Sequence, residues 1–197
     1  KNGEGGDMFK LKRLFDAGIH NYVIDLEEIN NMGQQNEKVK VLLASMETQL
    51  KTCDFEFKTH SKRKEVFLFN NTNFDEKKTE VEEFAGRIAQ CKTYASKLTQ
   101  ELLAKIKAKE TNFASTISTM ELWIQIQNSW NNLQSFFIGG EIKKELPGAA
   151  KLFEGADKEF VKLMERANGV KNIMTLCQTG EILNTLRSEI EPKLKEC

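Results

Sequence analysis

One apolar ladder constrains this chain more than anything else in it. From Tyr94, the residues Leu98, Leu102, Ile106, Phe113, Ile117, Met120, Trp123, Trp130, Leu133 and Phe137 recur at steps of three, four or seven. That spacing predicts one helical face over about 45 residues, which at 1.5 Å per residue would span roughly 65 Å. A compact fold of 197 residues has a radius of gyration of only about 16 Å, so the chain is expected to be elongated. Only Pro147 and Pro192 interrupt it, which leaves long stretches free to be helical.

The same spacing marks an earlier helical region. Ile19, Tyr22, Val23, Leu26 and Ile29 form one group, and Val39, Leu42, Leu43, Met46 and Leu50 a second. The polar stretch from Asn30 to Glu37, with Gly33 inside it, leaves one long helix or two helices open. At Cys53 the texture changes. Phe55 and Phe57 alternate with charged residues, as do Phe67 and Phe69, around the charged loop Thr59-His60-Ser61-Lys62-Arg63. This predicts a β-hairpin over about 53–70, whose aromatic face, with Phe74, should pack against a helix because an isolated hairpin is marginal in water.

A further helix is predicted from about Asn73, with Thr72 or Asn73 as its cap and Val81, Phe84, Ile88 and Cys91 on its apolar face. Gly139-Gly140 should end the long ladder, and Pro147 should open the next helix, carrying Leu152 and Phe153. Gly155 and Asn168-Gly169 read as breaks, Thr179-Gly180 as another, and Pro192 as a kink or an end. The expected fold is mostly α, an elongated helical bundle with long helices and one small β-hairpin. Residues 1–18 form a lead-in and first short helix, 19–93 an N-terminal helical part with the hairpin, and 94–197 a C-terminal helical bundle.

Charge and composition exclude several classes of function. The 29 basic and 29 acidic residues cancel, so no global field attracts nucleic acid or an anionic membrane. No apolar run approaches the roughly 18 residues of a membrane helix. Cys53, Cys91, Cys177 and Cys197 lack paired spacing, which suits free thiols in a reducing compartment better than disulfides or a zinc site. The reading is cytosolic and soluble, and Asn70-Asn71-Thr72 is then an idle glycosylation match.

Candidates for catalysis are few. His20 and His60 have no partner near them in sequence and read as surface residues. The adjacent pairs Glu27-Glu28 and Glu82-Glu83 point to different helix faces, and Gly139-Gly140 lacks the Lys-Ser/Thr of a phosphate loop. Lys62-Arg63-Lys64 reads as a hairpin tip. Neither a cofactor nor a metal is expected. What stands out is Trp123, Trp130 and Phe137, seven apart on one face, with Gln127 between the tryptophans needing partners for its amide if buried.

The stretch Leu122-Trp123-Ile124-Gln125-Ile126-Gln127-Asn128-Ser129-Trp130-Asn131-Asn132-Leu133, followed by Phe136-Phe137-Ile138-Gly139-Gly140-Glu141-Ile142, resembles the linker region (N-terminal region 2) of dynein heavy chains. Leu146-Pro147, Phe153 and Phe160 to Met164 follow that family's order, and the Gly-Gly-Glu-Ile and Leu-Pro wording looks axonemal. Asn132 departs from it, standing where the family usually has an aromatic.

The resemblance implies that Trp123, Ile126, Gln127, Trp130, Leu133, Phe137, Leu146, Pro147 and Phe153 are family-motif and core positions. It also implies a non-catalytic lever, moving over the AAA+ ring modules of the same heavy chain as ATP turns over elsewhere. Microtubules would then be met only indirectly, in the cytoskeleton of the cytoplasm or of a ciliary or flagellar axoneme. Gly139, Gly140 and Gly169 are candidate hinge positions. The alternative reading is a helical adaptor or scaffold that binds partner helices; a small helical enzyme fits the histidine and carboxylate census worst.

Overall fold

A short 3-10 turn, Ile19–Tyr22, leads into helix α1, Val23–Leu50. The computed structural model describes Arg13, residues 16–137 and residues 142–197. The first part of the expected lead-in and the hinge candidates Gly139 and Gly140 lie outside the described residues. One helix, not two, crosses the polar stretch at Gly33, and Asn36 gives that stretch a structural task. Its Nδ2 donates to the carbonyls of Met32 (2.7 Å) and Lys97 (2.8 Å), while its Oδ1 accepts from the Thr99 N–H. Every strong hydrogen-bonding capacity of this buried amide that is aimed inward is thereby used. Beyond Asn36, Val39, Leu43, Met46 and Leu50 are buried; before it, Tyr22, Val23, Leu26 and Ile29 are exposed. The first apolar group on α1 is therefore not part of the core, contrary to its spacing.

The hairpin pairs β1, Phe57–Thr59, with β2, Phe67–Phe69, in antiparallel register Phe57↔Phe69, Lys58↔Leu68 and Thr59↔Phe67. Its aromatic face is covered, as its marginal stability requires. Phe55 stacks on Phe74 at 5.5 Å between ring centres, and Phe69 meets Phe74 at 4.9 Å. Helix α2, Asn71–Cys91, follows without the predicted cap. The helix starts before Thr72 and Asn73, so Asn70 holds the N-cap position, with no side-chain cap bond, and the Asn73 amide oxygen accepts from the Glu56 N–H (2.9 Å). Val81, Phe84, Ile88 and Cys91 are buried along the expected face.

The ladder does not form one helix from Tyr94. A 3-10 turn, Lys92–Lys97, and an extended Leu98 come first, and helix α3 runs Gln100–Phe137. The Asn36 bonds to Lys97 and Thr99 hold this corner, and the Thr99 hydroxyl accepts from the Leu102 N–H as a helix cap does. At 38 residues, α3 is about 57 Å long by its rise alone.

A four-residue helix α4, Ile142–Glu145, precedes α5, Pro147–Val170, with Pro147 in the first turn as predicted. Gly155 does not break α5. Phe153, Ala156 and Phe160 are buried on that face, which outweighs the roughly 1 kcal/mol cost of a helical glycine. Nor does α5 end at Asn168-Gly169. It runs on to Lys171, which takes a positive φ of 61° with ψ of −39°. There the Asn172 N–H donates to the Val170 carbonyl (2.8 Å), closing a γ-turn of the rare positive-φ kind. The turn is held from outside: the Phe55 N–H donates to Lys171 (3.0 Å) and the Ile173 N–H to Cys53 (3.0 Å).

Helices α6, Ile173–Cys177, and α7, Glu181–Thr185, are separated at Gly180, which takes φ 73°. A π-turn, Leu186–Ile190, then joins α7 to α8, Glu191–Glu196. Pro192 stands in the first turn of α8, where a residue without an N–H loses no helical bond, and the irregularity expected near it is the π-turn just before. Buried apolar side chains from Val39 to Leu194 make one continuous cluster.

Candidate mechanical junction at the hairpin

The residues that the sequence singles out on α3 converge on the hairpin and on α5. Trp123 is fully buried, edge-on to Phe69 (5.0 Å, 81°) and Phe55 (6.2 Å, 77°). Its Nε1 is a buried donor with no hydrogen-bond partner among the described residues. One turn on, Gln127 answers the question its position raises. Its Oε1 accepts from the Phe69 N–H at 2.7 Å, and its Nε2 donates to the Asn71 side chain at 3.5 Å. A side-chain amide thus continues the hydrogen bonding of β2 into the long helix, and fixes the register between them.

Trp130 stacks on Phe160 of α5 (4.8 Å, 25°) and takes His60 of the hairpin loop edge-on (5.7 Å, 81°). Its Nε1 donates to Asp157 Oδ1 at 3.0 Å, the same oxygen that pairs with Arg63 Nη1. Arg63 also lies 5.9 Å from the indole centre and donates through Nε to Glu65 at 3.0 Å. A carboxylate from α5 therefore joins an indole from α3 to a guanidinium from the hairpin. Being charge-assisted and about four-fifths shielded, with Arg63 and Asp157 side chains each 21 % exposed, this pair is stronger than a surface bridge. The Asp157 bond holds the Arg63 guanidinium above its usual pKa, against the opposing effect of burial.

His60 is not a surface residue: it is 7 % exposed. Its Nδ1 accepts from the backbone N–H groups of Arg63 (3.1 Å) and Lys62 (3.3 Å), and the backbone N–H of His60 donates to the Val66 carbonyl (2.8 Å). Burial, and then the neighbouring Arg63 charge, push its pKa below the usual value. The neutral ring that results is the form able to accept.

The remaining sequence-marked residues divide. Ile126, Phe137 and Phe153 are buried, with Phe137 stacked on Phe153 (5.1 Å, 17°), and Leu133 is half-buried. Leu146, expected in the core, is 55 % exposed. It holds the N-cap position of α5 in an irregular conformation, φ −128° and ψ 66°, on the way into the helix and not on its inward face. Pro147 is exposed too, and Gly169 sits within the last turn of α5. Sequence reasoning missed Asp157 and Asn172. Asn172 donates through Nδ2 to Leu50 (2.9 Å) and Cys53 (3.3 Å) and accepts through Oδ1 from the Thr175 N–H and hydroxyl. Asp157 carries no local signal, since Arg63 and Trp130 are distant in the chain. Asn172 carries one, as the N-cap of α6 that accepts from Thr175 three residues on, while its bonds to Leu50 and Cys53 are long-range.

Thiol chemistry is suppressed in this fold. All four cysteines are free, and burial pushes Cys53 up to about 11 and Cys177 up to about 12. Among the described residues, no group of three or more His, Cys, Asp or Glu side chains is placed to hold a metal ion. None of their helices is long and apolar enough to cross a membrane. Two open grooves flank α1. One of about 340 Å³ is lined by Lys38, Val39, Leu42, Arg87 and Tyr94, and one of about 350 Å³ by Lys40, Glu47, Leu102 and Lys109.

The family model described as "Dynein heavy chain, N-terminal region 2" matches residues 2–197. The chain belongs to the dynein heavy chain family. Within it, the dynein gamma chain of the flagellar outer arm of Chlamydomonas reinhardtii is 25 % identical over 193 residues, 97 % of this chain and 4 % of the relative. Dynein axonemal heavy chain 5 of Mus musculus is 28 % identical over 200 residues, 98 % of this chain and 4 % of its own. Dynein axonemal heavy chain 8 of Homo sapiens is 26 % identical over 195 residues, 97 % of this chain and 4 % of its own. This dynein segment therefore spans about one twenty-fifth of the length of these relatives. Its junction of α3, hairpin and α5 is a packed and hydrogen-bonded joint within a heavy-chain N-terminal region.

Proposed function

We propose that this chain is a linker segment of a dynein heavy chain, a lever without an active site of its own. The parent would be a microtubule motor ATPase, and the lever would move over the AAA+ ring modules of the same heavy chain as ATP turns over there. The observation that carries this reading is the Asp157 clamp, which locks a 38-residue helix to both a hairpin and a second long helix. A lever must transmit displacement without internal slip. A dry aromatic contact resists slip through close packing, and the shared carboxylate adds directional bonds that fix the angle between elements.

The soft point of such a lever would lie at the end of α5, around Gly169 and the strained turn at Lys171, or at Gly139-Gly140. The ring modules would be its direct partners and the microtubule an indirect one. The axoneme is the proposed location, in keeping with the flagellar and ciliary relatives; neither nucleic acid nor a membrane is a proposed partner.

The test is made in the parent heavy chain with Trp130→Ala, which removes both the stack and the bond to Asp157. A lever loosened at this joint should drive microtubule gliding several-fold more slowly while ATP turnover persists. Unchanged gliding, or loss of turnover and gliding in equal proportion, overturns the lever reading. Comparing two nucleotide states of the same motor tests the soft point, which requires backbone rotation near Gly169–Lys171 or near Gly139-Gly140.

A further inference from the structure

Helix α1 carries one seam that is continuous in sequence and half covered in space. Asn36, Val39, Leu43, Met46 and Leu50 step by three and four along a single face and are buried. The same stepping continues backwards across Gly33 to Ile29, Leu26 and Tyr22, which are 64 %, 43 % and 58 % exposed. Val23 and Ile24 beside them are open as well. Scattered apolar residues on a surface are ordinary, but a contiguous stretch that extends a buried seam marks a contact with another element.

Charge narrows what that element is. Between Tyr22 and Ile29 lie Asp25, Glu27 and Glu28 and neither Lys nor Arg. A second copy packed on this face would bring six carboxylates together around an apolar contact, and an anionic lipid surface would meet the same repulsion. A helix with basic flanks meets complementary charge.

We propose that Tyr22, Leu26 and Ile29 are the docking face for a helix from elsewhere in the same heavy chain, outside these 197 residues. That helix presents an apolar three-and-four seam flanked by Lys and Arg. The relatives offer ample sequence for it, since this chain covers 4–6 % of their length. The inference rests on family membership and on the seam, not on the lever reading, and stands or falls apart from it. Docking there would extend the packed part of α1 towards its first turn.

The experiment uses the full-length heavy chain with Ile29 replaced by the photo-crosslinker p-benzoyl-phenylalanine. After illumination, the crosslinked peptide is identified by mass spectrometry. A crosslink to a heavy-chain peptide outside residues 1–197, with apolar residues at helical spacing between Lys or Arg residues, is the expected result. Adding Leu26→Glu, or Asp25→Lys with Glu28→Lys, should lower its yield several-fold. A crosslink to the same peptide of a second copy, to residues 1–18 of the same chain, or to another polypeptide overturns the proposal. So does the absence of any crosslink, or a yield that the charge reversals leave unchanged. Because the altered side chains are exposed, the melting temperature of the 197-residue chain carrying each variant should match that of the unaltered chain, which separates lost docking from lost folding.

Discussion

At the hairpin junction, Trp130 has no exposed surface, and its indole N–H shares one carboxylate oxygen with Arg63. At the start of α1, Ile24 is 79 % exposed and its neighbours Tyr22 and Ile29 are open. Both regions are written in the same residue types at the same helical spacing. The difference is supplied by chain far away. Hairpin and α5 close over Trp130, whereas Ile24, Leu26 and Ile29 in the first two turns of α1 stay exposed. Apolar periodicity tells which face of a helix wants a neighbour, and only the fold tells whether this stretch of chain contains it.

The contrast predicts a steep ranking of substitutions. Trp130→Ala should cost the 197-residue chain about 3–5 kcal/mol in urea unfolding, the usual range for emptying a buried aromatic site. A loss under about 1 kcal/mol would mean that the junction is no more consolidated than the open seam. Asp157→Ala leaves the buried Trp130 N–H without its acceptor and takes one carboxylate from the partly shielded Arg63, and should cost about 1–3 kcal/mol. Combined with Arg63→Ala it should show a coupling energy of about 0.5–3 kcal/mol; strict additivity would remove Asp157 as the shared clamp.

Acidification probes the same corner more gently. Burial and the Arg63 charge depress the pKa of His60 from 6.5, so the unfolded chain takes up this proton at higher pH than the folded one. The stability contributed by neutral His60 is then complete above about pH 6.5 and is lost as pH falls through the depressed folded value. The urea midpoint should drop as pH falls below about 6.5, and His60→Ala should flatten that drop. An unchanged slope in the variant would assign the pH response to other groups. Smallest of all, Leu26→Ser or Ile29→Ser should alter the stability of the 197-residue chain by no more than about 0.5 kcal/mol. A larger loss would show that the seam is already covered within this chain.

Much of the architecture was legible because it follows from periodicity and punctuation. The hairpin, the long α3 with its buried tryptophans, and Pro147 opening α5 each have a local cause in the sequence. What escaped has its cause elsewhere in space. Gly155 read as a break, yet packing of Phe153 and Phe160 carries the helix past it. His60 read as a surface residue because the two N–H groups it accepts from are backbone, which no side-chain pattern records. Asp157 sits 94 positions from Arg63, and no spacing rule connects a loop tip to a helix at that range. The comparison with known dyneins carries the family; the clamp is visible only in three dimensions.

The turn at Lys171 has a consequence for how load would travel. Asn172, at its exit, fastens the last carbonyls of α1 on one side and the first turn of α6 on the other, through one side-chain amide. A pull along α1 would thus reach α6 through hydrogen bonds only a few atoms long, in parallel with the close-packed apolar interior. The backbone bonds from Phe55 to Lys171 and from Ile173 to Cys53 run beside that amide, so removing the amide alone would thin this tie between distant parts of the chain without cutting it.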